Sequence, residues 1–137
     1  MKSSRAAVYA AVAMLVVGAV GVGVVTAHTK KIKSTVSIAW DYNIPGPYEV
    51  GDRFAGNVGS KKKCRNDRLV QVKRVGGSTI GSDRTNDQGH YRVQVTGNAA
   101  EGEYLAKVQK KVIKRNAKHK HVCKKAISPK ITVPSVP

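Results

Sequence analysis

The sequence predicts an all-β fold, an antiparallel β-sandwich of about seven short strands. Three observations carry this. Apolar residues recur at every second position from Lys30 onward, helical spacing is scarce, and turn signals punctuate the chain every 8–15 residues. The chain has 137 residues, which excludes large enzyme folds and multi-span membrane proteins. Each sheet of such a chain has to bury one face, and packing two sheets together does so.

The expected elements follow in order. Lys2 and Arg5 precede an apolar run from Ala6 to Ala27 that ends Val25-Thr26-Ala27. This is the pattern of a secretory signal cut after Ala27, and the run is also long enough to serve as a membrane anchor. Either way the rest of the chain is carried across, so a secreted or cell-surface location is expected, with tethering by residues 6–27 as the alternative. Residues 28–52 form an extended lead-in: Thr35–Trp40 reads as a strand, and Asp41–Asp52, with Pro45, Gly46, Pro47 and Gly51, as a loop or irregular edge. Residues 53–133 form the sandwich and 134–137 a tail. Within the sandwich, strands are expected at Arg53–Val58, Arg68–Val75, Ser78–Thr85, His90–Val95 and Glu103–Val112, with short closing strands at Val122–Cys123 and Ile127–Val133. Asn86-Asp87-Gln88-Gly89 is a turn. The stretch Ala99–Lys118 has a helical alternative, because Tyr104, Val108 and Val112 are four apart. Gly102 and the β-branched pair Val112-Ile113 weigh against it.

Of the hydrophobic residues, 19 lie in Met1–Ala27, leaving 37 among the following 110 residues, a thin core. Cys64 and Cys123 are the only cysteines. In an oxidising compartment the simplest reading is one disulfide, with free thiols or a metal site as alternatives. His119, His121 and Cys123 alternate, which places them on one face of a strand.

Gly81-Ser-Asp-Arg-Thr-Asn-Asp-Gln-Gly-His-Tyr-Arg-Val joins a Thr, an Asx turn, a Gly and an aromatic in an alternating strand. Phe54-Ala-Gly-Asn-Val, Arg68–Val75 and Gly102-Glu-Tyr-Leu-Ala-Lys-Val flank it. Together, over roughly Arg53–Val133, they resemble the carboxypeptidase regulatory-like or transthyretin-like β-sandwich repeat, as found in small basic secreted actinobacterial proteins. The resemblance implies the sandwich fold and a stalk, accessory module or binder rather than a catalyst. The purine-hydrolase branch's His and Arg cluster and its Tyr-Arg-Gly-Ser type ending are absent; the chain ends Ile131-Thr-Val-Pro-Ser-Val-Pro.

No catalytic, cofactor-binding or metal-ligating set is expected. No serine sits on a Gly-x-Ser-x-Gly elbow, and there is no Walker loop or dinucleotide fingerprint. His90 beside Asp83 and Asp87 reads as surface. Asp83, Asn86 and Asp87 do not follow the twelve-residue calcium loop. The informative feature is charge: 25 Lys and Arg against 8 Asp and Glu, a net of +17, or +15 without Met1–Ala27. Two clusters carry much of it. One is Lys61, Lys62, Lys63, Arg65 and Arg68. The other runs through Lys110, Lys111, Lys114, Arg115, Lys118, Lys120, Lys124 and Lys125, and no acid lies between Glu103 and Pro137. A Cys64–Cys123 disulfide would draw the clusters into one patch attractive to polyanions. The expected function is a non-catalytic exported domain that associates with anionic cell-envelope polymers, acidic glycans or an anionic membrane surface. The alternatives are a small secreted enzyme or enzyme inhibitor, and an extracellular nucleic-acid binder. The last is disfavoured because Trp40 and the tyrosines form no stacking strand. A monomer is the default.

Overall fold

The computed structural model describes residues 27–45 and 50–136, with the backbone alone at 43–45 and 50. The expected leader or anchor segment, residues 1–26, lies outside the described residues. Among those described, no helix is long and apolar enough to cross a membrane.

The fold is all-β, a sandwich of two antiparallel sheets with a small third sheet attached. In the first sheet, β2 (Thr35–Val36) and β3 (Ala39–Pro45) lie end to end along β4 (Val50–Gly59), and β7 (His90–Gln94) pairs with the other edge of β4. In the second, the order is β6 (Thr79–Arg84), β5 (Leu69–Arg74), β8 (Gly102–Val108). Then β11 (Ala126–Ile127) and β12 (Ile131–Val133) lie end to end along β8. With each broken edge counted once, the sandwich has seven strand positions; Val122–Cys123, expected as one of its closing strands, pairs instead within the third sheet.

Alternation decides which side chains enter the core. Phe54 and Val58 of β4 and Tyr91 and Val93 of β7 face Val70 and Val72 of β5 and Tyr104, Ala106 and Val108 of β8; all are buried. The Phe54 and Tyr104 rings meet across the sheets at 4.9 Å. Burying each Val or Phe contributes about 1.5–3 kcal/mol. Two hydrogen bonds form where the first edge breaks. The part-buried Tyr91 hydroxyl donates to the Ser37 carbonyl (2.6 Å), and Ser37 Oγ accepts from the exposed Asn57 N–H (2.9 Å).

Three expectations change. The strand expected at Thr35–Trp40 pauses at Ser37-Ile38 and then runs on to Pro45, so strand replaces much of the expected Asp41–Asp52 loop. The irregularity is a register shift between Asp41 and Ile44. The strand expected at Glu103–Val112 is cut at Gln109-Lys110, because the chain leaves the second sheet there to begin β9 (Lys111–Lys114). The helical alternative over Ala99–Lys118 is not adopted. Finally, His28–Ile32 forms β1, a strand that the sequence pattern does not indicate. It runs parallel to β10 (His119–Cys123), so the third sheet, ordered β1, β10, β9, departs from an all-antiparallel plan.

The third sheet has its own small core: Ile32, Cys64 and Cys123 are buried, with Ile113 packed against them. The Cys64–Cys123 disulfide is present, with its Cα atoms 5.5 Å apart and 59 residues between them in sequence. It ties a single 3-10 turn (Lys62–Cys64) to the end of β10.

Arg68 fastens the third sheet to the sandwich, and its side chain is fully buried. Its guanidinium donates to the carbonyls of Cys64 (2.6 Å), Gln109 (2.7 Å) and Lys124 (2.9 Å) and to Ser34 Oγ (3.1 Å). Each acceptor sits on a different stretch joining the two parts. No carboxylate is among these partners; carbonyl dipoles balance the charge. Arg68 is therefore not part of the exposed basic surface to which the sequence pattern assigned it.

Stability should respond to both fastenings. Arg68→Met strands the buried Cys64 carbonyl, at about 1–3 kcal/mol, and removes bonds to the part-buried Gln109 and Lys124 carbonyls, so denaturant unfolding is expected to show a loss of at least about 2 kcal/mol. A loss below about 1 kcal/mol would contradict this role. Reducing the disulfide opens a loop of about 60 residues, worth roughly 4 kcal/mol in the chain-entropy model. The same unfolding curves with and without reductant measure it.

Candidate polyanion-binding surface

The charge divides along the architecture. Residues 28–33, 60–66 and 109–125, which make the third sheet, the 3-10 turn and their connections, hold fifteen Lys and Arg and no Asp or Glu. The rest of residues 28–137 holds eight basic and eight acidic residues. The segments of the third sheet and its connections thus account for the whole excess of +15, and the remaining segments balance. Thirteen of the fifteen side chains are exposed; Arg65 and Lys111 are half-buried.

Register explains the convergence. In the parallel pairing, His28 stands beside His119 and Lys30 beside His121; in the antiparallel one, Lys114 stands beside Lys120 and Lys111 beside Cys123. A like-charge pair directly across strands, such as Lys114 and Lys120, opposes folding. The face of β10 that carries His119, His121 and Cys123 is turned to the 3-10 turn through the disulfide. Lys63 of that turn is accordingly pressed by Arg115, Lys30 and Lys61. Desolvation first, and then these three cations, hold its ammonium below the ordinary lysine range. Three segments distant in sequence therefore crowd their cations around one place.

Lys61, Lys62, Lys63 and Lys111, with Asn66 and one acid, Asp87, line an open groove of about 640 Å³. A second cleft of about 260 Å³, at the turn between β9 and β10, is lined by Lys114, Asn116, Lys118, His119 and Lys120. Lys124 and Lys125 follow β10 and are exposed, and Lys110 lies in the break between β8 and β9, near Asp67. The two sequence clusters are thus brought together, apart from the buried Arg68. The sequence pattern missed a third contribution, Lys30, Lys31 and Lys33 of the lead-in. Their signal was a basic run directly after the apolar segment, whose partner strand is more than 85 residues away.

Among the described residues, Lys111 is the one member of the fifteen paired with a carboxylate. Asp67 Oδ2 accepts from Lys111 Nζ at 3.1 Å, and Oδ1 accepts from Arg84 at 2.8 Å. The other residues weighed for chemistry have structural partners. Asn86 Oδ1 accepts from the N–H groups of Gln88 and His90, as an Asx turn does, and Gly89 closes the turn at φ +89. The Asp83 carboxylate accepts from the N–H groups of Arg84 and Arg92. His90 is exposed on the outer face of β7. Cys123 is consumed by the disulfide, and among the described residues no group of three or more His, Cys, Asp or Glu is placed to hold a metal ion.

The hydrogen bonds from Lys111 and then Arg84 hold the Asp67 carboxyl below the usual aspartate range. A depressed folded-state value means that the pairing adds stability above the unfolded-state value and loses it as pH falls through the folded one. An NMR titration is expected to place Asp67 below the ordinary aspartate range, and Lys111→Ala to raise it. An unmoved midpoint would show that Lys111 does not hold the carboxylate.

Compared with other proteins, the chain matches no family model, no curated protein and no solved structure.

Proposed function

We propose that the protein is a non-catalytic, exported β-sandwich that holds anionic polymers of the cell envelope or extracellular space on its third sheet. The observation that carries this reading is the segregation of charge: the segments that build the third sheet and its connections hold fifteen cations and no acid, with Asp67 and Asp87 the acids that border them, while the remaining segments carry equal numbers of both signs. Cations that served solubility alone would be interspersed with acids over the whole surface. Three strands and five residues give a sheet about 10 Å by 16 Å, comparable with the Debye length of about 8 Å at physiological salt, so the charges act together. The disulfide favours an extracytoplasmic setting, and export by the apolar leader completes that reading. The resemblance to transthyretin-like repeats supports a binding module.

The test compares two variants with equal loss of charge. Lys61, Lys62 and Lys63 are changed to Gln in one; Lys73, Arg92 and Lys107 of the sandwich in the other. Retention on purified cell envelope and on immobilised polyphosphate is measured across salt concentration. Every phosphate that the protein no longer neutralises is expected to make the plot of log affinity against log salt shallower by about 0.7–0.9, so the first variant should be shallower by about 2. The second should keep the parent slope. An equal change in both, or retention unchanged in the first, would overturn the proposal.

A further inference from the structure

The third sheet gathers imidazoles as well as ammonium groups. Three of the four histidines lie on it, on the face turned to the 3-10 turn. His28 and His119 are direct partners across β1 and β10, with ring centroids 5.9 Å apart and planes within 11° of parallel. His121 is the next residue on that face of β10 and stands beside Lys30. The groups facing His121 come from the neighbouring elements: Lys30 from β1, Arg115 from the turn after β9, and Lys63 from the 3-10 turn. All are cations.

We propose that His28, His119 and His121 form a proton-linked anion site, which engages phosphate groups of the bound polymer and takes up protons as it does so. The inference rests on the polyanion reading above and adds a regulation to it: the surface grips more tightly in mildly acidic surroundings.

The sign follows from the charges around the rings. Without ligand, a proton placed on them joins an uncompensated cluster of like charge. His121 shows the effect: desolvation first, then Lys63, Arg115, Lys30 and His119, hold its imidazole below the ordinary histidine range. Its Nδ1 is buried and has no hydrogen-bond partner. A polymer phosphate brought in by the lysines reverses the local field and gives the outward-facing imidazolium N–H groups a charged acceptor. Imidazoles that gain a partner only in the complex have a higher pKa there. Affinity is then flat above the bound-state value, climbs as pH falls through it, and levels off below the free-state value. A rise of one unit on one ring is tenfold in affinity, so a gain of about tenfold or more is expected between pH 7.5 and 5.5.

The test measures binding of fluorescent long-chain polyphosphate at fixed salt from pH 5.5 to 7.5. The interior phosphates of this probe stay ionised throughout, so the ligand does not contribute the change. The full disulfide-bonded domain is compared with His28→Gln/His119→Gln/His121→Gln, with the milder His28→Gln/His119→Gln should the half-buried His121 be needed for folding, and with His90→Gln as a remote control. Circular dichroism and thiol titration check the fold of each. The parent and the His90 variant are expected to show the tenfold gain, the triple variant to bind with little pH dependence, and the double variant to lose most of it. A pH profile equally steep in parent and triple or double variant would overturn the inference and leave the polyanion reading standing. An absence of binding at every pH would overturn both.

Discussion

The buried guanidinium of Arg68 is the interaction on which the arrangement of this molecule depends. The chain passes repeatedly between the neutral sandwich and the cationic sheet, and each passage leaves a backbone or hydroxyl acceptor to be satisfied away from water. One planar group with five N–H donors meets acceptors on Ser34, Cys64, Gln109 and Lys124. A lysine has three donors on a single nitrogen and cannot reach acceptors spread around a plane. Burial lowers the pKa of Arg68, yet arginine starts high enough to keep its charge. That charge is one more positive unit beside an already cationic sheet, tolerated because carbonyl dipoles point at it from several sides.

The disulfide and the cationic surface have the same kind of relation. Crowded lysines push the third sheet apart, as the lowered Lys63 ammonium and the opposed Lys114 and Lys120 indicate. The apolar core of that sheet is only Ile32 and the two cysteines, with Ile113 against them. Such a core is too small to hold fifteen cations together without a covalent link. The sandwich, with eleven buried residues in one cluster, needs no such link.

Much of this was legible from the sequence. Period-two patterns at Leu69–Arg74 and His90–Gln94 located strands to within a residue or two, since one buried face leaves a strict alternation. The lone cysteine pair located the cross-link. What escaped notice lacks local periodicity. The strand His28–Ile32 buries only its last residue, so no alternation marks it, and parallel pairing with β10 requires a partner distant in sequence. Arg68 reads as one more cation in a basic run; only its place at the start of a buried strand separates it from Arg65. The three histidines are scattered in the sequence and become one group only through the register of β1 on β10.

The separation of charge also gives the molecule a direction. A neutral body with its entire excess at one end has a large dipole, and near an anionic layer it feels a torque as well as a pull. On the polyanion reading proposed above, it settles with the third sheet down. The sheet's first strand begins at His28, so the chain enters the fold on that same underside. The opposite end of β5 and β8, where Arg74, Ser78, Thr79, Asn98 and Tyr104 line a polar cleft of about 620 Å³, is then presented outward in every copy. A layer of such molecules is ordered by electrostatics alone, with one face committed to the support and the other uniformly displayed.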